Sequence, residues 1–106
     1  MKPGVVKLNV AKNFSRFPAG RFNADGDFSG ERFRDQFLVP ALSKDQQVVV
    51  ELDGTAGYGS SFLEEAFGGL TRKALFDANE LHTRLTPQSA DTSLVAEIWE
   101  YIDQAH

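Results

Sequence analysis

The fold is decided by residues 48–70, VVVELDGTAGYGSSFLEEAFGGL, in which an apolar run leads through a glycine-containing turn into an amphipathic segment. Residues 48–52 form a short run that is apolar except at Glu51 and mostly β-branched, which is typical of a central strand covered on both faces. Gly57 and Gly59 predict a turn after that strand. The stretch therefore predicts a buried strand, a turn and a helix, which together form the central unit of an α/β domain.

The start of the predicted helix is marked by Ser61 and Glu64, which have the spacing of a capping box. In such a box the serine hydroxyl accepts from the backbone N–H of the glutamate, whose carboxylate accepts from the N–H of the serine. Apolar residues at positions 63, 66, 67 and 70 then share one helical face. Gly68 and Gly69 weaken the helix interior and favour close approach to a neighbouring element.

The preceding part of the chain predicts a strand, a long loop and a helix. Residues 5–10 alternate partially and favour a first strand. Residues 15–27 contain Pro18, Gly20 and Gly26 and predict a long ordered loop, with a short strand near residues 21–23. Apolar residues recur at helical spacing over residues 29–41, and Pro40 predicts the end of that helix.

The C-terminal part leaves one choice open. Residues 76–87 fit a short helix that Asp77 caps and that runs through Leu81, followed by a strand at 84–86, or else a strand over 81–86. Residues 91–105 predict a final amphipathic helix. Together these elements predict one small α/β domain over residues 1–106, with a central mixed sheet of about four strands and three to four helices packed on it.

Composition excludes several classes of protein. The chain has 106 residues, of which 42% are hydrophobic and 25% charged, as in a globular domain. It has no cysteine, so disulfides and thiolate metal sites play no part. No signal peptide and no apolar run of spanning length is visible. We therefore expect a soluble, cytoplasmic protein that does not associate with membranes, without a metal or another cofactor.

The net charge of −4 conceals an asymmetry. Residues 1–34 carry seven Lys/Arg and three Asp/Glu, a formal charge of +4, whereas residues 35–106 carry four and twelve, a formal charge of −8. The acidic part argues against general binding of nucleic acid, which usually needs a basic footprint. Arginines between phenylalanines in the first third could bind a phosphorylated partner or single-stranded nucleic acid, although core packing explains the aromatic residues more simply.

The turn at residues 57–61 is the leading candidate for function. A glycine turn that opens a helix presents free N–H groups and the positive end of the helix dipole, which stabilise an anion. The alternative is a tight turn with a helix cap, and Glu64 and Glu65 in the first turn would repel a phosphate. Either way, the turn follows a strand, where the functional crevice of open α/β sheets lies.

Other chemistry is less well supported. Residues 25–30 resemble the start of a calcium loop, but position 12 would be Gln36, so Asp27 or Ser29 more simply caps the next helix. The chain has two histidines, His82 and His106, and a hydrolase would need His82 as the base for Ser60 or Ser61. Adjacent Glu64 and Glu65 make a poor acid/base pair and are read as a solvated face. We therefore expect no catalytic residues.

Two segments, residues 18–34 (PAGRFNADGDFSGERFR) and residues 60–70 (SSFLEEAFGGL), resemble the two sequence blocks of the STAS-like domain family of unknown function. With the intervening strand, the resemblance covers roughly residues 5–105. It implies a STAS-type α/β fold and a regulatory, non-enzymatic role related to that of the anti-sigma-factor antagonists. In those antagonists, a histidine-kinase-like ATPase phosphorylates a serine at the start of a helix, and this modification switches binding.

Carried over to this chain, the resemblance implies Ser61, with Ser60 beside it, as the candidate phosphorylation site. Gly59 and Phe62 depart from the antagonist pattern Asp-Ser-Ser-Gly, so the fold is better supported than the switch. We expect a protein partner, with a histidine-kinase-like ATPase as the leading candidate, and homodimerisation through exposed phenylalanines is left open. The alternative is a module that binds a nucleotide or another small anion at residues 57–61. The residues that we predict to bind the partner or the anion are Asp53, Gly57, Tyr58, Gly59, Ser60, Ser61, Arg21, Ser29 and Arg32.

Overall fold

A computed structural model describes residues 4–105 and shows a three-stranded sheet in this part of the chain. Strands β1 (Val5–Asn9), β2 (Gln47–Glu51) and β3 (Leu85–Gln88) lie in the order β1-β2-β3, and both pairs are parallel. The predicted class, a small α/β domain, is confirmed. The prediction of a mixed sheet with about four strands is wrong, because the sheet described here has three strands and all are parallel.

The missing strand is the one expected at residues 21–23. The chain forms a 3₁₀ turn at Asn23–Asp25 instead. Gly20 and Gly26 have φ values of +92° and +152°, and these left-handed conformations bend the loop before and after the turn. The loop is also held by its hydrogen bonds to the next helix, since the N–H of Gly30 donates to the carbonyl of Gly20 at 3.0 Å.

Within residues 4–105, four helices complete the fold. Helix α1 covers residues 30–44 without a break, as Gly30–Phe33, a π-helical turn at Arg34–Leu38, and Val39–Lys44. Helix α2 covers residues 60–72 in the same manner, as Ser60–Leu63, a π-helical turn at Glu64–Gly68, and Gly69–Arg72. Helix α3 is Ala78–Arg84 and helix α4 is Thr92–Gln104. A further short π-helical turn, Val10–Phe14, follows β1.

Pro40 does not end the first helix, contrary to the prediction. Proline lacks an N–H and cannot donate an α-helical hydrogen bond. The preceding turn widens so that the N–H of Val39 donates to the carbonyl of Arg34, five residues back. The helix therefore passes through Pro40 with a local bulge and continues to Lys44.

The two alternatives for residues 76–87 are now resolved. A helix followed by a strand is observed, and the helix extends to Arg84 before β3 begins. Asp77 occupies the N-cap position, although its side chain makes no capping hydrogen bond. The final helix is confirmed, and the side chain of Asp91 caps it by accepting from the N–H groups of Ser93 and Leu94.

The helices cover one face of the sheet. Val48 and Val50 of β2 are fully buried and pair in register with Leu85 and Pro87 of β3. On the other face, Val49 is partly exposed and pairs with exposed Lys7 and Thr86. Coverage of both faces of β2 was therefore a wrong prediction. Right-handed connections between strands joined in sheet order place the crossover helices on the same side.

Candidate functional site

The turn after β2 is fixed by Tyr58. Its hydroxyl donates to the carbonyl of Leu52 at 2.6 Å, and its ring packs against Phe62 with ring centroids 5.8 Å apart. Burial raises the pKa of Tyr58 to about 12. Gly54 and Gly57 have φ values of +101° and +135°, which let the chain reverse twice within a few residues. Tyr58 is thus an anchor of the turn, and its hydroxyl is already bonded.

Helix α2 begins two residues earlier than the predicted capping box implies. Gly59 is the N-cap, with extended backbone (φ −76°, ψ 152°), and its carbonyl accepts from the N–H of Leu63 at 3.2 Å. The predicted capping box of Ser61 and Glu64 is therefore wrong, and the carboxylate of Glu64 contacts arginines instead. Ser60 and Ser61 lie exposed in the first helical turn, so both hydroxyls are accessible to another protein.

Asp53 forms its hydrogen bonds away from the turn and from the start of α2. Its carboxylate accepts from the hydroxyl of Ser89 at 2.6 Å and from the N–H of Ala90 at 3.0 Å, so it joins the end of β2 to the segment after β3. These two hydrogen bonds lower the pKa of Asp53. It also lines an open cleft of about 630 Å³ at the carboxyl ends of the strands. The residues lining that cleft are Asn9, Glu51, Asp53, Pro87, Gln88, Ser89 and Val95.

Of the predicted site residues, Asp53 is therefore the one that the strand-end cleft contains, and Ser60 and Ser61 do not line it. Polar side chains in the cleft also bond one another, since the amide of Asn9 donates to Glu51 at 3.1 Å. Residues close together in sequence, 53 and 60–61, thus belong to separate surfaces.

Residues 15–28, which we call the aromatic loop, lie beside the turn at residues 53–59. The N–H of Ala56 donates to the carbonyl of Arg16 at 2.8 Å and joins the two segments. Phe17, Phe22 and Phe28 of the aromatic loop are 71%, 50% and 44% exposed. The structure thus brings together the two segments that the sequence analysis singled out, and it adds an exposed aromatic surface to them.

The polar residues of the aromatic loop and of α1 have mostly structural partners. Ser29 is fully buried and caps α1, accepting from the N–H of Arg32 at 3.1 Å and donating to Asn23 at 2.8 Å. The interpretation of Ser29 as a helix cap is thereby confirmed, whereas its full burial contradicts a direct contact with a partner. Arg32 is partly buried, and its Nε has no hydrogen-bond partner among the described residues.

A buried network of charges joins α1 to α2, and the sequence analysis missed it. Arg34 and Glu65 are 1% and 2% exposed, and Nη1 of Arg34 contacts Oε2 of Glu65. Arg72 reaches Oε1 of Glu65 at 2.7 Å and also contacts Glu64. Arg21 of the aromatic loop contacts Glu64 and lies 3.4 Å from Glu65. Glu65 is therefore not part of a solvated face, because its carboxylate neutralises a buried arginine.

The sequence did contain a signal for this network. Arg34 lies four and seven residues before Leu38 and Ala41, on the buried side of α1. Glu65 lies three residues after Phe62 and four before Gly69, on the buried side of α2. One basic and one acidic residue on facing apolar stripes indicate a buried pair, since an isolated buried charge is very costly.

Two glycines allow this close packing. A Cβ atom at Gly69 would lie 2.6 Å from Nη1 of Arg34, and one at Gly30 would lie 2.4 Å from the carbonyl oxygen of Phe62. The predicted close approach at Gly69 is thus confirmed. The two sequence blocks therefore pack directly against each other.

Residues 29–94 match a family described as STAS-like domain of unknown function (DUF4325). The chain belongs to this STAS-like family. The match includes the second block in full and the first block from Ser29 onward, whereas residues 18–28 lie outside it. No significant match to a curated protein or to a solved structure was found.

Two further observations concern this STAS-like domain as a whole. Within residues 4–105, no helix combines the length and apolarity required to cross a bilayer. The same residues contain no cluster of three or more His, Asp or Glu side chains suited to holding a metal ion. His82, considered above as a base, bonds Asp103 at 2.7 Å and stacks on Trp99 with ring centroids 4.1 Å apart. His106 lies outside the described residues.

Proposed function

We propose that this STAS-like domain is a non-catalytic regulatory module that binds another protein through the aromatic loop and the adjoining turn at residues 53–61. The observation that carries the proposal is the exposure of Phe17, Phe22 and Phe28 on one loop. Several exposed aromatic side chains on one loop favour an interaction site, because aromatic side chains supply large apolar contact areas at interfaces.

The surface is held in place before any partner arrives. The N–H groups of Gly30 and Glu31 donate to the carbonyls of Gly20 and Arg21, each at 3.0 Å, and the side chain of Arg21 contacts Glu64. Phe28 also packs edge-on against Phe14, with ring centroids 5.6 Å apart. An ordered surface loses less conformational entropy on binding, which favours affinity.

The finer part of the proposal concerns the partner. The family resemblance supports a histidine-kinase-like ATPase and a partner-switching role, with Ser61 as the position that the ATPase modifies. Exposure of Ser60 and Ser61 is compatible with access by a kinase. A phosphate on Ser61 would place close to two negative charges one turn before Glu64 and would change the affinity of the surface for its partner.

Site-specific photocrosslinking tests the docking surface. Benzoylphenylalanine is placed at Phe17 and, in a matched control, at Leu75, which is also exposed (45%) but belongs to another segment. In the native cells we expect a protein adduct from position 17 and none from position 75, and mass spectrometry of the adduct identifies the partner. Adducts from neither position, or equal adducts from both, would contradict the proposal.

Incubation of the purified protein with ATP and the histidine-kinase-like ATPase tests the proposed phosphorylation switch separately. We expect one phosphate on Ser61 by mass spectrometry, and its absence in a Ser61→Ala variant. Absence of phosphate from the wild-type protein would remove the switch and leave the docking role intact. A rise in melting temperature with nucleotide alone would instead favour the alternative of a small-anion binding module.

A further inference from the structure

A cleft of about 380 Å³ lies at the junction of the aromatic loop and α2. The residues lining it are Arg21, Phe22, Glu64, Glu65, Arg72 and Lys73. The cleft is distinct from the strand-end cleft that contains Asp53, and the family resemblance assigns no role to it.

The charges around this cleft are unequal. Arg21, Arg72 and the buried Arg34 contact two carboxylates, those of Glu64 and Glu65. Three positive charges thus face two negative ones at the centre of the network. Lys73 adds a further positive charge at the cleft, and Asp35 balances Arg34 from outside the cleft at 2.9 Å. The residues that line the cleft therefore carry a formal charge of +1, and the nearby carboxylates of Asp25 and Glu31 are bonded to the N–H groups of Phe22 and Asn23.

Hydrogen-bond donors are also in excess. All four carboxylate oxygens of Glu64 and Glu65 already contact an arginine. Each guanidinium carries five N–H donors in a planar fork, and Arg21 uses only its Nη1 in the observed bonds to these carboxylates. The side chains of Arg21 and Arg72 are 33% and 31% exposed. Unused donors on partly exposed guanidinium groups suit a further carboxylate or phosphate oxygen.

The ring of Phe22 favours an anion that also carries apolar groups over a small free anion. Its half-exposed ring lines the cleft, so an occupant meets an apolar surface beside the guanidinium groups. Phe28 of the same loop does not line the cleft, because its carbonyl accepts from the N–H of Ala19 at 3.0 Å and its ring packs on Phe14. A small free anion would use the charges and leave the ring of Phe22 in water, whereas an acidic chain with apolar side chains would use both.

We propose that this cleft binds a carboxylate side chain of an acidic, apolar segment of a partner protein, whose apolar side chains lie on the exposed ring of Phe22. The inference rests on the proposed interaction role and specifies the chemistry of the partner. Lys73 and the unused donors of Arg21 and Arg72 receive the carboxylate, and the aromatic loop supplies the apolar contact.

The test measures fluorescence anisotropy of a short labelled peptide in which glutamate alternates with leucine or phenylalanine, added to the full chain. Lys73→Glu reverses one charge in the cleft without removing a member of the ion network. The matched control is Lys44→Glu, the same change at an exposed lysine in the last turn of α1. We expect binding that rising salt weakens and that Lys73→Glu reduces about fivefold, while Lys44→Glu changes it less than about twofold.

A second variant, Phe22→Ser, tests the apolar contact and is expected to weaken binding about tenfold or more. A counterpart peptide with lysine in place of glutamate should not bind. The proposal is overturned if the lysine peptide binds as well, if the two lysine variants behave alike, or if inorganic phosphate displaces the peptide at equal concentration. Binding to phosphatidylserine vesicles or single-stranded DNA but not to the acidic peptide would also overturn it.

Failure of this inference can be distinguished from failure of the docking role. If photocrosslinking at Phe17 captures a partner in wild type and in Lys73→Glu equally, the docking surface stands and the acidic-segment site is wrong. If no partner is captured at Phe17, the interaction role itself is contradicted.

Discussion

Arg34 of α1 and Glu65 of α2 form an ion pair in which the two side chains are 2% and 3% exposed, so the charges that join the two helices lie inside the protein. Nη1 of Arg34 also donates to the backbone carbonyl of Glu65 at 3.2 Å. Each residue lies in the π-helical turn of its helix. This buried ion pair thus lies where both helices depart from regular α geometry.

Replacement of Glu65 should be severely destabilising. Glu65→Ala leaves the buried Nη1 of Arg34 without its carboxylate while Nε still donates to Asp35, and loss of one partner of a buried pair costs about 3–5 kcal/mol. The matched control is Glu80→Ala, which removes an exposed carboxylate from its pair with the partly buried Arg84 and should cost less than about 1 kcal/mol. Urea denaturation measures the free energy of unfolding of both variants. Equal losses would show that the buried pair contributes no more to stability than the pair of Glu80 with Arg84.

A methyl group at Gly30 should disrupt the contact of α1 with α2. The Cβ of Gly30→Ala would lie 2.4 Å from the carbonyl oxygen of Phe62, a backbone atom that cannot move without shifting α2. We expect a loss of about 1–3 kcal/mol in the free energy of unfolding. Gly59→Ala, at the start of α2, has no atom within 4 Å of its Cβ and serves as the control. If both variants unfold at the same urea concentration, the close approach of α1 to α2 at Gly30 is contradicted.

Asp53 should make stability depend on pH in acid. Hydrogen bonds from Ser89 and Ala90 lower its pKa in the folded protein below the model-compound value of 3.8. The carboxylate therefore stabilises the fold above that value, and this contribution disappears as pH falls through the folded pKa. The free energy of unfolding of Asp53→Asn, measured by urea titration, should therefore fall less between neutral pH and acid than that of the wild type. If the free energy of unfolding of this variant falls as much as that of the wild type, Asp53 is not a source of the pH dependence.

The two tyrosines should resist ionisation in the folded protein. Burial of Tyr58, and the hydrogen bond of Tyr101 with Glu97, raise each pKa to about 12, whereas an exposed tyrosine has a pKa near 10. Absorbance of phenolate should therefore be low at pH 11 in the native state and should appear on addition of urea. Because the folded pKa values are raised, stability contributed by the neutral hydroxyls is present below pH 10 and declines as pH rises towards 12. Native phenolate absorbance near pH 10 would contradict the buried position of Tyr58.

Local pattern was enough to locate most elements. Residues 48–52, 61–70 and 91–105 were assigned correctly in type, because apolar spacing and caps such as Asp91 act within a few residues of chain. The end of α1 was misplaced, since whether Pro40 breaks a helix depends on the turn before it. The strand expected near Arg21 was also wrong, because the bends at Gly20 and Gly26 direct that segment onto α1.

The candidate site was likewise predicted only in part from the local sequence pattern. The sequence identified the turn at 57–61 and the loop at 18–30 as separate candidates, and the hydrogen bond of Ala56 to Arg16 makes them neighbours. It also grouped Asp53 with Ser61, although Asp53 faces Ser89. Side-chain partners between distant segments do not follow from spacing along the chain, so these groupings required the folded structure.

The sequence by itself determined that residues 48–70 form a strand, a turn and a helix, and that the chain resembles the STAS-like family to which it belongs. Short-range properties decide these features: β-branching, helical periodicity and glycine in the turn. Only the tertiary structure decided that the sheet has three parallel strands with one face uncovered, and that Glu65 is buried against Arg34. Both depend on which distant segments meet, and that is set by crossover geometry and by the cost of burying a charge without a partner.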